Sequence, residues 1–256
     1  KLIPYVEKEY NNFNIKNDSN NVELKTNEGD EIKLDNISFL KDLKNGMFLF
    51  MDKASSKMGV MDYRRKIIIP PYFQSIDVIN NKYIKVQYQD KYGLFSTSGN
   101  LIIEAVFDNI FVGKSDYAVI TYKNKEGIFD LANEKMLLLP VFKSVKINDD
   151  GFALISKEGN FKTSSGYKNE KFAYFSLENN KFITDFIFDA GYSFSGNLAR
   201  ICIDDKYGFI DKNGILKILP IYIYALDFNG NLALVKDENN EVYYIYSSNG
   251  GRVNVY

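Results

Sequence analysis

The amino-acid sequence repeats itself at intervals of about 35 residues. A short apolar signature, clearest as GNLALV at 230–235, returns near residues 196, 150, 115, 81, 45 and 10. In chain order the spacings are 35, 36, 34, 35, 46 and 34 residues. Self-similarity at such a period is typical of repeat architectures, in which each copy buries its apolar surface against its neighbours. The chain is therefore expected to be an array of like units.

Two further markers accompany this signature. A glycine inside an apolar segment follows about 12 residues later, at Gly59, Gly93, Gly127 and Gly208, with Ala173 in the same slot of a weaker copy. We interpret this glycine as a point of close backbone approach or a bulge. The other marker is an apolar run that ends at Pro71, Pro140 or Pro220. Since proline cannot donate to a ladder, we expect these prolines to end each third strand.

Within one copy, short apolar runs alternate with polar turns. In the last copy, Leu232–Lys236, Val242–Tyr246 and 251–256 are rich in β-branched and aromatic residues. Asn213-Gly214 and Asn249-Gly250 fall between such runs, and an Asn-Gly pair supplies the positive φ of a tight hairpin. No segment shows the apolar spacing of a helix over ten or more residues. The sequence predicts an all-β protein of antiparallel units with three or four strands each.

Both signatures together give seven copies in one domain, residues 1–256. The copies lie near 10–44, 45–80, 81–114, 115–149, 150–195, 196–229 and 230–256. The first and last copies complement each other into one whole unit, which favours a closed, seven-bladed propeller-like ring; an open β-solenoid is the alternative. A chain of 256 residues buries a sizeable core without disulfide or metal.

Composition excludes several classes of function. The 32 basic and 33 acidic side chains give a net charge of -1, which removes the long-range attraction that nucleic acid requires. No apolar run is long enough to form a transmembrane helix. The chain has no histidine, the commonest general base and transition-metal ligand. We therefore predict a protein that is not an enzyme, with no catalytic residue, no metal and no cofactor.

The remaining reactive side chains have plain structural interpretations. Cys202 lies between apolar neighbours and is expected to be a small buried hydrophobe. The acidic pairs Asp149-Asp150 and Asp204-Asp205 fall at turns of the repeat, and Asp211 begins a DKNG turn without the other ligands of a calcium loop. Two carboxylates at the right separation still suffice for glycoside hydrolysis, so a carboxylate-dependent hydrolase stays as a minor alternative.

Segment 206–220, KYGFIDKNGILKILP, resembles the bacterial WG repeat, in which a Trp-Gly pair opens a strand and an apolar run ends in proline. Segment 224–236, YALDFNGNLALVK, is similar to the later part of the same repeat. The resemblance covers nearly the whole chain and is strongest over 196–235. One departure is that the chain has no tryptophan; the slot holds Met58, Tyr92, Glu126, Phe172 and Tyr207. The resemblance implies a bacterial interaction module without naming its ligand.

The 19 tyrosines and 20 phenylalanines exceed what a core of β-repeats needs. Tyrosine is enriched at interfaces, so we expect exposed tyrosines and loops to form a binding surface while most phenylalanines pack inside. The period stretches to 46 in one copy only, and the extra residues fall at 161–171. Such insertions form loops, often on the functional face. We predict that Phe161, Tyr167 and Lys168 contribute to a partner site.

These observations favour a non-enzymatic protein-interaction or scaffold module, with a binder of cell-surface polysaccharide or peptidoglycan as the alternative. The partner is expected to be a protein or a glycan, not nucleic acid. A single cysteine, a start at Lys1 where a Met would open an unprocessed chain, and the family resemblance favour export to the periplasm or cell surface over the cytoplasm.

Overall fold

The computed structural model describes residues 14–18, 21–25, 31–43, 46–164 and 166–253. Throughout these residues the chain forms β-strands joined by turns, and they contain no helix. The strands form seven antiparallel sheets, one of three strands and six of four. The prediction of an all-β array of antiparallel three- or four-stranded units is confirmed. Closure of the array into a ring stays a prediction.

The strands follow chain order within each sheet. Sheet 1 contains β1 (Asn14–Asp18), β2 (Asn21–Lys25) and β3 (Glu31–Lys33), and sheet 2 contains β4 (Ile37–Asp42), β5 (Met47–Asp52), β6 (Met58–Asp62) and β7 (Ile67–Phe73). Sheet 3 contains β8 (Ser75–Ile79), β9 (Tyr83–Tyr88), β10 (Lys91–Ser96) and β11 (Leu101–Phe107). Sheet 4 contains β12 (Asn109–Val112), β13 (Tyr117–Tyr122), β14 (Lys125–Asp130) and β15 (Lys135–Phe142).

The last three sheets complete the array. Sheet 5 contains β16 (Ser144–Ile147), β17 (Phe152–Thr163), β18 (Gly166–Ser176) and β19 (Lys181–Phe182). Sheet 6 contains β20 (Ala190–Ser195), β21 (Leu198–Ile203), β22 (Lys206–Asp211) and β23 (Leu216–Tyr222). Sheet 7 contains β24 (Tyr224–Ala225), β25 (Leu232–Lys236), β26 (Val242–Tyr246) and β27 (Arg252–Val253).

The chain divides into two compact units, one ending at Ile110 and the next beginning at Phe111. Within each unit, consecutive sheets pack face to face. In β22, Phe209 belongs to the apolar cluster shared with sheet 7, whereas its neighbour Ile210 belongs to the cluster shared with sheet 5. Successive side chains of a strand point to opposite faces, so a sheet between two others needs apolar residues at adjacent positions. Both residues are buried, and each contributes about 1.5–3 kcal/mol of transfer free energy.

The glycine marker lies opposite a bulge in the fourth strand. Tyr207 pairs with Tyr222 and Phe209 pairs with Ile218, so one residue of β22, Gly208, opposes three residues of β23. The bulged backbone bends over Gly208, and a Cβ on this glycine would lie 2.6 Å from the carbonyl oxygen of Ile218. The same register shift occurs in sheets 2, 3 and 4, beside Gly59, Gly93 and Gly127. The predicted close approach is confirmed.

Sheet 5 shows why alanine is tolerated at the same position. Phe172 exchanges backbone hydrogen bonds with Phe188, and the amide of Ile183 donates to the carbonyl of Tyr174. Between these bonds residues 184–187 form an irregular loop in place of the bulged strand, and the Tyr174 amide donates to the Thr184 hydroxyl there at 2.9 Å. The Cβ of Ala173 is accommodated at this position, and the residue is fully buried.

The prediction that the prolines end each third strand is wrong. Pro71, Pro140 and Pro220 lie inside the fourth strands, within the three-residue side of the bulge. The physical reason is that residues of a bulge leave the hydrogen-bond ladder, so a residue without an N–H loses nothing there. Proline and a bulge on a terminal strand also discourage edge-to-edge pairing with other chains.

The predicted turns are present. Gly214 has a φ of +79°, and its amide donates to the carbonyl of Asp211. In sheets 3, 4 and 6 the turn that precedes the third strand has two residues with positive φ, as in Asp204 at 49° and Asp205 at 62°. Such turns match the right-handed twist of a two-residue hairpin.

The repeat frame read from the sequence differs from the sheet frame by one strand. Copy 196–229 supplies the second, third and fourth strands of sheet 6 and then β24, the first strand of sheet 7. Copies 45–80 and 115–149 join sheets 2 and 3 and sheets 4 and 5 in the same way. These three copies therefore link two consecutive sheets covalently as well as by packing. The start of copy 10–44 and the last residues of copy 230–256 lie outside the described residues.

Candidate interaction site on the extended hairpin

The insertion forms a long β-hairpin and not an irregular loop. Its strands β17 and β18 have 12 and 11 residues, whereas β21 and β22 have six each. The first strand of sheet 5 pairs only with Ala153–Ser156, and the last only with Phe175 and Ser176. Beyond these pairs the two strands bond to each other as far as Thr163 and Gly166, with a bulge between Glu158 and Phe161. We call residues 157–171 the extended hairpin.

The extended hairpin is held to sheet 4 through its acidic side chains. Lys125 of sheet 4 pairs with Glu158, and Lys143, which joins sheet 4 to sheet 5, donates from Nζ to Glu170 at 2.7 Å. Both acids have a pKa below the usual value. For Glu158 the hydrogen bond from Lys125 is the main cause. For Glu170 burial acts in the opposite direction, and the hydrogen bonds from Lys143 and Ser156 outweigh it.

The opposite side is held to sheet 6 through lysines. Lys171 Nζ donates to Asp189 Oδ1 at 2.5 Å, and the Asp204 amide donates to the other oxygen of Asp189 at 2.7 Å. The Lys171 and Asp189 side chains are only 6% and 7% exposed, so this is a buried ion pair. Nearer the tip, Lys168 Nζ donates to Asp205 at 3.0 Å. This hydrogen bond is the largest contribution to the raised pKa of Lys168.

Charged side chains of the extended hairpin face like charges across the hairpin and opposite charges outside it. Lys157 lies directly opposite Lys171 across the hairpin, and Glu158 lies opposite Glu170. Like charges directly opposite each other destabilise a two-stranded ribbon. Here Glu158, Glu170 and Lys171 each have a partner of opposite sign outside the hairpin. The hairpin is therefore fitted to the space between sheets 4 and 6.

The structure places the three predicted site residues near the tip, in three different environments. Tyr167 is 66% exposed, opposite Lys162. Phe161 is half-buried and lies over Gly159, where a Cβ would meet its ring at 2.8 Å. Lys168 lies opposite Phe161, and its ammonium group is engaged by Asp205. Tyr167 is thus the residue presented to solvent, whereas Lys168 holds the hairpin in place.

Sequence reasoning missed the residues that fix the hairpin, namely Glu158, Glu170, Lys171 and Asp189. One signal was present in the sequence. The segment KEGNFKTSSGYKNEK, 157–171, has the same pair of charges at each end in mirrored order, which places like charges opposite each other in any symmetric hairpin. Such a pattern requires partners outside the hairpin, although it does not name them.

Other candidate groups are occupied by structural contacts. Asp150 accepts hydrogen bonds from the amides of Phe152 and Phe194, and Asp211 accepts from the amides of Asn213 and Ile215 in its own turn. Cys202 is a buried free thiol, and burial raises its pKa. Within the described ranges, no cluster of three or more candidate ligands is arranged to hold a metal ion. No helix in that part of the chain is able to cross a membrane.

A family model for the WG containing repeat matches residues 58–92, 92–125, 178–207 and 207–240. These four matches cover just over half of the chain. The chain belongs to the WG-repeat family. The predicted resemblance is confirmed, and the extended hairpin lies in the stretch between the second and third matches. This hairpin is therefore a feature of the present WG-repeat protein that the family pattern does not describe.

Comparison with other proteins adds distant likenesses only. No curated protein matches the sequence. Hsv2p of Kluyveromyces lactis is 11% identical, with 86% of this chain and 78% of that chain covered and a TM-score of 0.36. The WD40 β-propeller domain of Doa1 is 10% identical, with 91% and 87% covered and a TM-score of 0.28. BamB of Moraxella catarrhalis is 10% identical, with 88% and 79% covered and a TM-score of 0.29.

Proposed function

We propose that this WG-repeat protein is a non-enzymatic interaction module whose extended hairpin binds a protein partner. The observation that carries the proposal is a hairpin that pairs ten residues on each strand where the hairpin of sheet 6 pairs six, fixed on both sides and with an exposed tyrosine near its tip. A fixed element loses little conformational entropy on binding, and tyrosine provides a wide apolar face with a polar hydroxyl. Phe161 and Tyr167 are the proposed contact residues, and Lys168 positions them.

The distribution of aromatic residues supports a binding role. Among large hydrophobic residues with exposed side chains there are seven tyrosines and one phenylalanine in the described part of the chain. Phenylalanine occupies the interior, as in the edge-to-face pair of Phe209 and Phe228 with ring centroids 4.7 Å apart. The predicted division, with phenylalanine in the packing and tyrosine at the surface, is confirmed for these residues.

The test compares partners of three variants. In the first, residues 158–170 are replaced by Asn-Gly, which converts the extended hairpin into an ordinary one. The second is Tyr167→Ser, and the matched control is Tyr244→Ser, an exposed tyrosine on sheet 7. We expect the first two variants to lose a partner that the wild type and the control retain, as measured by co-purification and mass spectrometry and then with the purified partner. Identical partners for all four proteins would contradict the proposal.

A glycan is the second candidate ligand, and a particular cavity favours it. Between sheets 6 and 7 lies a cavity of about 570 Å³ whose lining is rich in amide, hydroxyl and charged side chains, among them Asn197, Asp211, Asn213, Lys217 and Ser247. Such groups are suited to hydroxyl-rich ligands. Binding on a glycan array that Asn197→Ala and Ser247→Ala abolish, while Tyr167→Ser leaves it unchanged, would support a polysaccharide binder. A peptidoglycan or polysaccharide ligand also fits the proposed location in the periplasm or at the cell surface.

A further inference from the structure

An aromatic groove lies in the first compact unit, between β7 of sheet 2 and strands β9 to β11 of sheet 3. Its volume is about 890 Å³, and apolar atoms make up most of its lining. Phe73 and Phe95 form the floor, and Tyr72, Tyr88 and Leu101 stand at its sides. The groove shares no residue with the extended hairpin.

A buried phenylalanine ring packs against two of the aromatic side chains of this groove. The Phe73 ring is buried and lies edge-on to Tyr88 at 6.4 Å and to Phe95 at 5.8 Å. Tyr88 is 43% exposed and Tyr72 is 64% exposed. Tyrosine has few rotatable bonds, so rings held in this way provide contact area at low entropic cost.

Among these aromatics, Tyr72 is the one that does not recur at its register position in sheets 3, 4 and 6. Tyr72 follows Pro71 in the bulged strand, and the residues at the same register position in sheets 3, 4 and 6 are Val106, Val141 and Ile221. A side chain needed for packing within the repeat would recur in every copy. The exposed tyrosine in a single copy therefore indicates a task of its own.

The groove has a carboxylate from each sheet. Asp52 of sheet 2 accepts hydrogen bonds from the amide and hydroxyl of Ser55, whereas Glu104 of sheet 3 makes no side-chain hydrogen bond within the described part of the chain. Lys57 is the only cationic side chain in the lining. Two carboxylates against one ammonium group give an excess negative charge, which favours a ligand with a cationic group.

We propose that this groove binds an extended, proline-containing peptide with an arginine or lysine directed at Glu104. Aromatic-lined grooves accept polyproline II helices, whose three-residue turn presents proline and aliphatic faces at regular spacing. Such a peptide is already extended, so little order is lost on binding. A saccharide is the less suitable occupant, because the mostly apolar lining offers few partners for its many hydroxyl groups.

The experiment uses the full chain and fluorescence anisotropy. The probes are fluorescein-labelled dodecapeptides that each contain four prolines and one arginine, with the arginine moved through every position. A matched set has glutamate in place of arginine, and maltohexaose and chitohexaose are tested by calorimetry. We expect at least one arginine peptide to bind, and Tyr72→Ala or Tyr88→Ala to weaken it about tenfold or more. The matched control is Tyr244→Ala, an exposed tyrosine of the second unit, which should leave binding unchanged.

A charge reversal distinguishes specific binding in this groove from nonspecific binding of the peptides. Glu104→Lys should weaken the arginine peptide and improve the glutamate peptide, and thermal melting should show an intact fold because Glu104 is exposed. Absence of binding by every peptide would overturn the proposal. So would equal loss in the Tyr244→Ala control, an unchanged charge preference in Glu104→Lys, or binding of either hexasaccharide without any peptide.

Discussion

The hairpins of sheets 5 and 6 begin at equivalent positions of the repeat and are stabilised in different ways. The sheet 6 hairpin pairs six residues on each side and closes at Asp204-Asp205, a turn whose φ values of 49° and 62° suit its twist. The sheet 5 hairpin extends several residue pairs further and places like charges opposite each other. The short hairpin is stabilised by its own turn, whereas the long one is stabilised by ion pairs with residues outside the hairpin. Opposite charges outside the hairpin therefore stabilise its additional length.

The buried pair between Lys171 and Asp189 should give the largest effect. Lys171→Met leaves a buried carboxylate with only the Asp204 amide as partner. Removing one member of a buried ion pair costs about 3–5 kcal/mol. Urea denaturation should show a loss of that size, with partial recovery in the Lys171→Met/Asp189→Leu double variant because no lone charge stays buried. A loss below 1 kcal/mol, on the order of a surface pair, would show that the hairpin does not depend on this contact.

The glycine slot gives the next largest contrast between the two sheets. In sheet 6, Gly208→Ala places a Cβ 2.6 Å from the Ile218 carbonyl oxygen, and overpacking of this kind costs about 1–3 kcal/mol. In sheet 5, Ala173→Gly removes one buried methyl group and adds backbone freedom, for a loss of about 1 kcal/mol. Thermal and urea unfolding of both variants measure the difference. A smaller loss for Gly208→Ala than for Ala173→Gly would contradict the role assigned to the bulge.

This slot also shows how far the sequence predicts the fold. The recurrence of Gly59, Gly93, Gly127 and Gly208 indicated a close approach, since a residue required in every copy reflects geometry common to all. The prolines were harder to place, because an apolar run that ends in proline looks the same whether the strand ends there or bulges and continues. Only the pairing of Tyr207 with Tyr222 beyond Pro220 distinguishes the two.

The candidate site was less predictable than the fold. The lengthened period located the insertion, and Tyr167 is indeed exposed near its tip. The partners of Lys171 and Glu170 are Asp189 and Lys143, which are 18 and 27 residues away in sequence. No local pattern encodes such contacts, since they arise only when neighbouring sheets pack. The role of Lys168 as a support was hidden for the same reason.

Acid should loosen the extended hairpin before it loosens the ordinary one. Glu158 and Glu170 both have a lowered pKa, so their contribution is complete above the usual pKa of glutamate and is lost as the pH falls through the lowered value. Hydrogen exchange of 157–171, corrected for intrinsic rates, should therefore accelerate between about pH 5 and pH 3 relative to β21 and β22. In the Glu158→Gln/Glu170→Gln variant this pH dependence should disappear. Its persistence would assign the effect to other groups.

The smallest effect is expected for the solvent-exposed ion pairs between neighbouring parts of the array. Lys206 and Glu238 join sheets 6 and 7 with side chains 29% and 72% exposed, so solvent screens them and their coupling should be below about 0.5 kcal/mol. Lys143 and Glu170 of the extended hairpin are less open at the carboxylate, which is 27% exposed and also interacts with Ser156. Double-mutant cycles with alanine should give a larger coupling for this second pair, and high salt should reduce the coupling of the first pair more than that of the second. Equal couplings in the two cycles would mean that position on the extended hairpin adds nothing, and that the buried Lys171 pair alone distinguishes it from an ordinary hairpin.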